Sequence, residues 1–170
     1  MPAEADLERL YDAHAAALYA LALNLTRNEA DARDLLQDAF VKVARHPESL
    51  RDVREERAFL LRLVHNAAID LFRRRQTRTA VADAFAQEPP TVFAPTADPD
   101  EQAFRSALTD ALAELPADQR TVVHLKLWEG LTFEAIAEGL GIPLNTAASR
   151  YRYGLDKLRH RLRPLYEELP

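Results

Sequence analysis

The sequence predicts an all-α fold that consists of two small helical domains. Along several stretches, apolar residues recur at intervals of three and four, which is the spacing of one face of an α-helix. A proline-rich, acidic segment interrupts this pattern. The chain has 170 residues, of which 48% are hydrophobic, so it can form packed cores. We therefore place one domain at residues 1–78, a flexible linker at 79–100 and a second domain at 101–170.

The composition argues against several kinds of functional site. The chain has no cysteine, which excludes disulfides and thiolate zinc sites, and its five histidines are scattered without the spacing of metal ligands. Its first residues are acidic where a secretory signal would be basic, and no apolar run approaches the length of a membrane span. We expect a cytoplasmic protein that needs no metal or cofactor.

The first domain begins with two helices joined by a short turn. The first is predicted over residues 5–25, and His14 lies in its mainly apolar stripe. We interpret His14 as a packed side chain, because a ligand would need partners nearby. Asn28 is predicted to cap the second helix, which Pro47 ends. Since the turn is short, the two helices should lie antiparallel.

The second predicted helix has two different faces. Its apolar side supplies core candidates, which are Ala32, Leu35, Leu36, Ala39, Phe40 and Val43. On another side, Asp31, Asp34 and Asp38 form an exposed acidic row at intervals of three and four. The row could serve solubility or bind a metal, but no second set of carboxylates and histidines converges with it. A docking face for a basic partner fits better.

The third helix, predicted over residues 58–75, is apolar nearly all round, which implies deep burial. Only one edge is polar, and its residues recur at intervals of four: Arg62, Asn66, Asp70 and Arg74. Such a line alone is typical of a surface network that stabilises a helix. The arginine cluster at its end favours nucleic acid instead, and consists of Arg73, Arg74, Arg75 and Arg78.

The second domain ends in the pattern of a helix-turn-helix. Helices are predicted at about 101–114 and 117–128. Thr132 then caps a short helix, Gly141 turns the chain and Pro143 begins the last helix. Residues 144–163 contain six basic residues and one acid, although the whole chain has a net charge of −5. A basic second helix of this kind can enter the major groove of DNA, while a solvated helical hairpin would share the same outline.

Both domains carry motifs that resemble those of bacterial RNA polymerase sigma factors of the extracytoplasmic-function type. In the first domain these are the segment DARDLLQDAF at residues 31–40 and the pattern from Phe59 to Arg74. In the second they are Leu115-Pro116, Arg120, the segment EGLTFEAIA at 129–137, LGIP at 140–143, and Thr146 with Ser149-Arg150. The resemblance leaves only the linker uncovered.

A few positions depart from the family pattern. Phe59 stands where Trp is usual, and Ala135 stands where a Glu would complete a capping box. Ala148 and Tyr153 occupy positions of the last helix that often carry a basic residue. Fewer phosphate or base contacts are therefore expected from those two positions.

The resemblance implies a non-enzymatic initiation factor that binds core RNA polymerase, directs it to promoters and promotes promoter opening. The implied polymerase-binding residues, facing the clamp of the beta-prime subunit, are Asp31, Asp34, Leu35, Gln37, Asp38 and Phe40. Those for the minus-ten element are Phe59, Arg62, Asn66, Asp70, Arg73 and Arg74, and those for the minus-thirty-five element are Asn145, Thr146, Ser149, Arg150, Arg152 and Lys157. An anti-sigma factor is a further implied partner, and no membrane partner is expected.

Two other functions are compatible with parts of the sequence. A stand-alone helix-turn-helix regulator would bind duplex DNA without polymerase, but it leaves the motifs at residues 31–40 and 59–74 unexplained. A carboxylate-metal hydrolase would lose its activity to chelators. At the residue level, Asn66 could read a base held out of the stack, or it could be a structural group that satisfies the backbone.

Overall fold

The structure is a computed structural model that describes residues 4–77, 93 and 96–167. Within these residues it contains seven α-helices and one short 3₁₀ helix, and no strand. The helices are α1 (Glu4–Thr26), α2 (Glu29–Arg45), the 3₁₀ helix (Pro47–Leu50), α3 (Glu56–Thr77), α4 (Pro99–Glu114), α5 (Ala117–Leu127), α6 (Phe133–Leu140) and α7 (Leu144–Glu167). The prediction of an all-α fold is confirmed. None of the helices in the described ranges is long and apolar enough to cross a membrane.

The helix ends follow the capping residues that the sequence indicates. The Asn28 side chain accepts a hydrogen bond from the Asp31 amide at 3.0 Å, and Thr132 does the same for the Ala135 amide at 3.1 Å. Gly141 ends α6 in the left-handed conformation, with φ at 66°. These local predictions are confirmed because each depends on a side chain and a backbone group only a few residues apart.

Helix α4 begins at Pro99, two residues before the start predicted for this helix at about residue 101. The Asp98 side chain caps α4 by accepting hydrogen bonds from the backbone amides of Asp100 and Glu101. The helix therefore begins at Pro99, inside the predicted linker. Most of the predicted linker, and Arg78 before it, lie outside the described residues.

Each domain has its own apolar centre. In the first domain α1, α2 and α3 pack together around fully buried leucines, which include Leu18, Leu21, Leu60 and Leu61. In the second domain α4, α5 and α7 enclose Leu112, Val123, Leu158 and Leu162. Helical amphipathicity thus accounts for both bundles.

The two domains also lie against each other. Helix α6 packs on α3, and α5 packs on the end of α1. The apolar cluster of the first domain continues across this junction through Ala58 to Ile136 and Ala137 of α6. A methyl group at Gly139 would lie only 2.8 Å from the Cβ of Ala58, so the absence of a side chain there allows the close approach. The sequence left this arrangement open.

Candidate nucleic-acid and polymerase interface

Helix α3 presents one exposed polar edge, as the sequence predicts. Arg62, Asn66 and Asp70 are all exposed, whereas Phe59 is half-buried beside them. Arg73 and Arg74 are exposed in the last turns of the helix. The Nε of Arg74 donates to the backbone oxygen of Asp70 at 3.4 Å. The helix therefore brings five of the six predicted minus-ten residues to the surface.

The side of α3 next to this edge carries a histidine that faces the second domain. His65 is buried, with its Nδ1 2.8 Å from the hydroxyl of Thr121 and its Nε2 3.3 Å from Asp118. Burial lowers the pKa of His65, and the neighbouring carboxylate of Asp118 only partly offsets this effect. The neutral imidazole is therefore favoured in the packed state.

The acidic row on α2 is only partly exposed. Asp34 and Asp38 are exposed, but Asp31 is half-buried and its carboxylate accepts hydrogen bonds from Arg75 at 2.8 and 2.9 Å. The expectation of three exposed acids is therefore wrong for Asp31, because α3 runs past it and supplies an arginine. In the described residues, no group of three His, Asp or Glu side chains is arranged to bind a metal ion.

An apolar cleft lies next to the acidic row, between α1 and α2. Leu35 is buried on the inner side of α2. Phe40 is buried at the cleft, and its ring centroid lies 5.0 Å from that of Tyr11. The cleft has a volume of about 450 Å³, and its lining includes Leu7, Tyr11, Leu36, Gln37, Phe40 and Val41. Tyr11 is 49% exposed, so its ring forms part of the open wall of this cleft.

The candidate DNA-reading helix α7 has an open polar face. Asn145, Arg152 and Lys157 are exposed, whereas Thr146 and Ser149 are half-buried. The Ser149 hydroxyl donates to the backbone oxygen of Asn145 at 2.7 Å, which leaves its oxygen lone pairs as acceptors. A cleft of about 600 Å³ runs between this face and Phe133.

Arg150 differs from its neighbours on α7 because it points towards the domain junction. Its guanidinium lies 3.8 Å from Asp118, the same carboxylate that contacts His65. The arginine is half-buried, whereas Arg152 and Lys157 are exposed. One of the predicted base-reading side chains is therefore held by the second domain's own α5 in this arrangement.

Three further arginines of α7 pair with carboxylates at the surface. These pairs are Arg159 with Asp156 at 3.9 Å, Arg161 with Glu114 at 2.6 Å and Arg163 with Glu167 at 2.9 Å. All of these side chains are well exposed. Exposed ion pairs are worth about 0–1 kcal/mol, so they leave the arginines able to exchange a carboxylate for a phosphate.

The structure assigns a role to Arg120 that the sequence did not reveal. The side chain is buried and donates to the backbone oxygens of Asn24 and Leu25 at 3.1 Å, and to those of Ala113 and Leu115 at 3.0 and 2.8 Å. Burial, with a smaller contribution from Arg27, lowers its pKa to about 10. Arg120 thus caps the ends of α1 and α4 together. Its acceptors are backbone oxygens, which have no residue-specific signature, so only its place in the motif pointed to it.

Comparison with known proteins agrees with this geometry. The sequence pattern of "Sigma-70 region 2" matches residues 10–78, and that of "Sigma-70, region 4" matches residues 111–160. The ECF RNA polymerase sigma factor SigL of Mycobacterium tuberculosis is 36% identical over 165 residues, which cover 96% of this chain and 93% of SigL. The chain belongs to the ECF family of RNA polymerase sigma factors.

As an ECF sigma factor, it is an alternative sigma factor that directs RNA polymerase to promoters. Sigma factors as a class are non-enzymatic initiation factors. The sigma factor CarQ of Myxococcus xanthus is 33% identical over 95% of this chain and 92% of its own length. A solved structure of the sigma factor RpoE with the anti-sigma factor NepR, from Bartonella quintana, matches with a TM-score of 0.73 and 25% identity, and covers 93% of this chain and 97% of RpoE. The resemblance that the sequence indicated is confirmed.

Proposed function

We propose that this ECF sigma factor divides promoter recognition among three surfaces, on α2, α3 and α7. The observation that carries the proposal is the shape of α3, which is buried on most sides and exposes Arg62, Asn66 and Asp70 along one edge. The chain itself has no catalytic residue in this scheme, because polymerase supplies the chemistry. Since bacterial transcription takes place in the cytoplasm, we place the protein there.

The α2 surface is the proposed docking site for core polymerase, on the clamp of its beta-prime subunit. The exposed side chains of Asp34, Gln37 and Asp38 would contact basic groups of the clamp. Asp31 would contribute to this surface while it remains paired with Arg75. The adjacent apolar cleft at Phe40 gives the partner a place to bury apolar side chains. Leu35 is buried beneath this surface and supports it by packing. Charge at the rim and an apolar centre together are typical of protein interfaces.

The α3 edge is the proposed site for the minus-ten element. The amide of Asn66 can donate and accept at once, which suits it to read the edge of a base held out of the stack. Unstacking a base costs a few kcal/mol, so contacts that form only after opening must offset this. Phosphates of the displaced strand would be held by three arginines along or beyond the same edge, which are Arg62, Arg73 and Arg74. Phe59 offers an apolar surface beside them.

The exposed face of α7 is the proposed site for the minus-thirty-five element. A helix-turn-helix places its second helix in the major groove, with the first residues of that helix nearest the bases. Asn145, Thr146 and Ser149 lie in those first turns. Arg150 and Arg152 follow, and Lys157 lies one to two turns further, where a phosphate contact is expected.

We also propose that an anti-sigma factor regulates the protein, as NepR is bound to the similar Bartonella factor. Purification of the chain from its own host under mild conditions tests this. A stoichiometric second protein is expected in the complex. A pool of protein free of any partner would contradict the proposal.

Transcription in vitro tests the proposed function. Fragments of the host genome would be transcribed by core polymerase alone, by core polymerase with the protein, and by core polymerase with a double variant, Asp34→Lys with Asp38→Lys. Discrete transcripts are expected only with the unaltered protein. A stand-alone regulator would instead footprint duplex DNA by itself and give no new transcripts, and that result would overturn the proposal.

A further inference from the structure

The open face of α7 has an apolar gap among its polar side chains. Asn145, Ala148, Ser149 and Arg152 recur at intervals of three and four, so they lie on one face in the first turns of the helix. Three of these side chains can form hydrogen bonds, whereas Ala148 offers only a methyl group. The end of α7 that is proposed to enter the major groove therefore combines polar contacts with one small apolar position.

A cleft of about 600 Å³ lies at this gap, between α7 and Phe133 of α6. Its lining includes Asn145, Ala148, Ser149 and Arg152. Ala148 is half-buried, and a longer side chain at this position would occupy part of the same space. The small residue thus keeps the cleft open on the face that is proposed to contact bases.

The opposite wall of the cleft is a restrained aromatic ring. The Phe133 ring meets that of Tyr151 edge to face, with their centroids 5.3 Å apart. The Nζ atom of Lys126 lies 4.6 Å from the Phe133 centroid, which is a cation–π contact. Both contacts restrain the ring, so the gap is bounded by two apolar groups, the Ala148 methyl and the face or edge of Phe133.

The charges around the cleft indicate which kind of molecule brings an apolar group into it. Arg152 and Arg159 line the cleft, and the ammonium of Lys126 lies against its aromatic wall. The acid in the lining, Asp156, lies 3.9 Å from Arg159 and so is already paired. Cations around a helix of this kind attract the phosphates of duplex DNA. In the major groove, the apolar group on the base edges is the C5-methyl of thymine.

We propose that Ala148 and Phe133 form a subsite for the C5-methyl group of one thymine in the minus-thirty-five element. The inference deepens the proposed function of α7 and rests on it. Asn145 and Ser149 flank the subsite and are free to form hydrogen bonds with neighbouring base edges. Ala148 is then a specificity-determining residue, and the replacement of a basic residue at this position exchanges a polar contact for an apolar one.

Removal of the methyl group from the DNA tests the subsite. Each position of the minus-thirty-five element of a promoter found by transcription in vitro is set in turn to thymine and to uracil, which differ only in the C5-methyl. Binding of polymerase holoenzyme is measured for each pair. At one position thymine should bind about fourfold more tightly than uracil, the value expected for burial of about one CH₂ group. There, 5-methylcytosine should exceed cytosine by a similar factor, because its methyl group has the same place on the ring.

Variants of the protein assign this difference to the cleft. Ala148→Ser keeps the size of the side chain but places a hydroxyl in the gap, and Ala148→Lys fills the gap with a flexible cation; lysine also favours the helix. Both should reduce the ratio of thymine to uracil binding towards one. Tyr153→Ala is the matched control, because Tyr153 is exposed on α7 but does not line the cleft. It should keep the full ratio, whatever its effect on the overall affinity.

Two results would overturn the subsite. One is equal binding of thymine and uracil at every position, although other base substitutions in the element change the affinity. The other is a fourfold ratio that persists in both folded Ala148 variants or is lost in Tyr153→Ala instead. If no base substitution in the element changes the affinity, the proposed function of α7 fails and the subsite fails with it, so the two failures are distinguishable.

Discussion

Helices α3 and α7 both carry residues assigned to promoter DNA, but they are embedded very differently. The buried residues of α3 lie on several sides, and include Ala58, Leu60, Leu61, Val64, His65, Ala67 and Ala68. On α7 the buried side chains form one stripe, at Ala147, Leu158 and Leu162. Helix α3 therefore has one narrow exposed edge, whereas α7 has a broad open face.

The difference matches what each helix is proposed to bind. A base taken out of its stack needs a contact surface that does not move, and α3 is held by α1, α2 and α6 together. A duplex groove about 12 Å wide admits a whole helix, so α7 must leave most of its circumference free. Burial of α3 and exposure of α7 thus fit the single-strand and duplex recognition proposed for them.

The largest expected effect comes from removing the side chain that anchors α5 to α1. Arg120→Met keeps an apolar stem of similar length but leaves four backbone oxygens without their donor. Buried acceptors without partners cost about 1–3 kcal/mol each, so we expect a loss of roughly 3 kcal/mol or more in the free energy of unfolding. Urea denaturation measures it.

Arg161→Met is the matched control, since that guanidinium contacts only Glu114 at the surface. Its loss should be about 1 kcal/mol at most. Equal losses for the two variants would show that Arg120 does not organise the junction.

The next effect concerns the open face of α7. Arg150→Ala should lose about 1–3 kcal/mol of promoter binding with relaxed preference at one position, if the arginine leaves Asp118 to contact a base. Lys157→Ala should weaken all sequences alike, because a phosphate contact carries no sequence information. The two outcomes are distinguished by measuring how tightly polymerase holoenzyme with each variant binds promoters that differ in the minus-thirty-five sequence. Uniform losses for both would make Arg150 a phosphate contact.

Charge reversal on α2 is expected to change the stability of the fold only slightly but to weaken assembly with polymerase clearly. Asp34→Lys with Asp38→Lys should weaken co-elution with core polymerase and change the free energy of unfolding by about half a kcal/mol or less, because both side chains are exposed. Glu134→Lys, an exposed acid on α6, is the control and should leave polymerase binding intact. Undiminished co-elution of the folded double variant would contradict the docking surface.

The smallest effect is a pH dependence of the junction. Burial lowers the pKa of His65 in the packed state, with Asp118 opposing and Arg150 adding to this shift. The packed state therefore binds fewer protons than the opened state, and its stability falls as the pH drops through the ordinary histidine range near about 6.5. The interdomain distance, measured by pulsed electron paramagnetic resonance between spin labels on the exposed positions of Ala16→Cys and His160→Cys, should lengthen on acidification in the unaltered protein but not in His65→Gln. The same acid response in both would contradict this origin.

The elements of the fold could be predicted from the sequence because their signals are local. Asn28, Thr132 and Gly141 act on backbone groups within a few residues, and the apolar stripes repeat every turn. The junction could not be predicted, since the Asn24 and His124 side chains meet across 100 positions and nothing near either residue indicates the other. The same holds for Asp31, whose pairing with Arg75 removed it from the exposed acidic row.

The central claim, that α3 opens promoter DNA and α7 reads it as a duplex, is tested most directly by permanganate footprinting of the minus-ten region beside a melting curve. Asn66 is exposed on α3 and Asn145 is exposed on α7, so Asn66→Ala and Asn145→Ala remove the same amide from each helix. Asn66→Ala should spare the closed complex and the melting temperature but reduce thymine reactivity, whereas Asn145→Ala should weaken the closed complex itself. Unchanged thymine reactivity in Asn66→Ala, with a lowered melting temperature, would contradict the account and make Asn66 a structural residue.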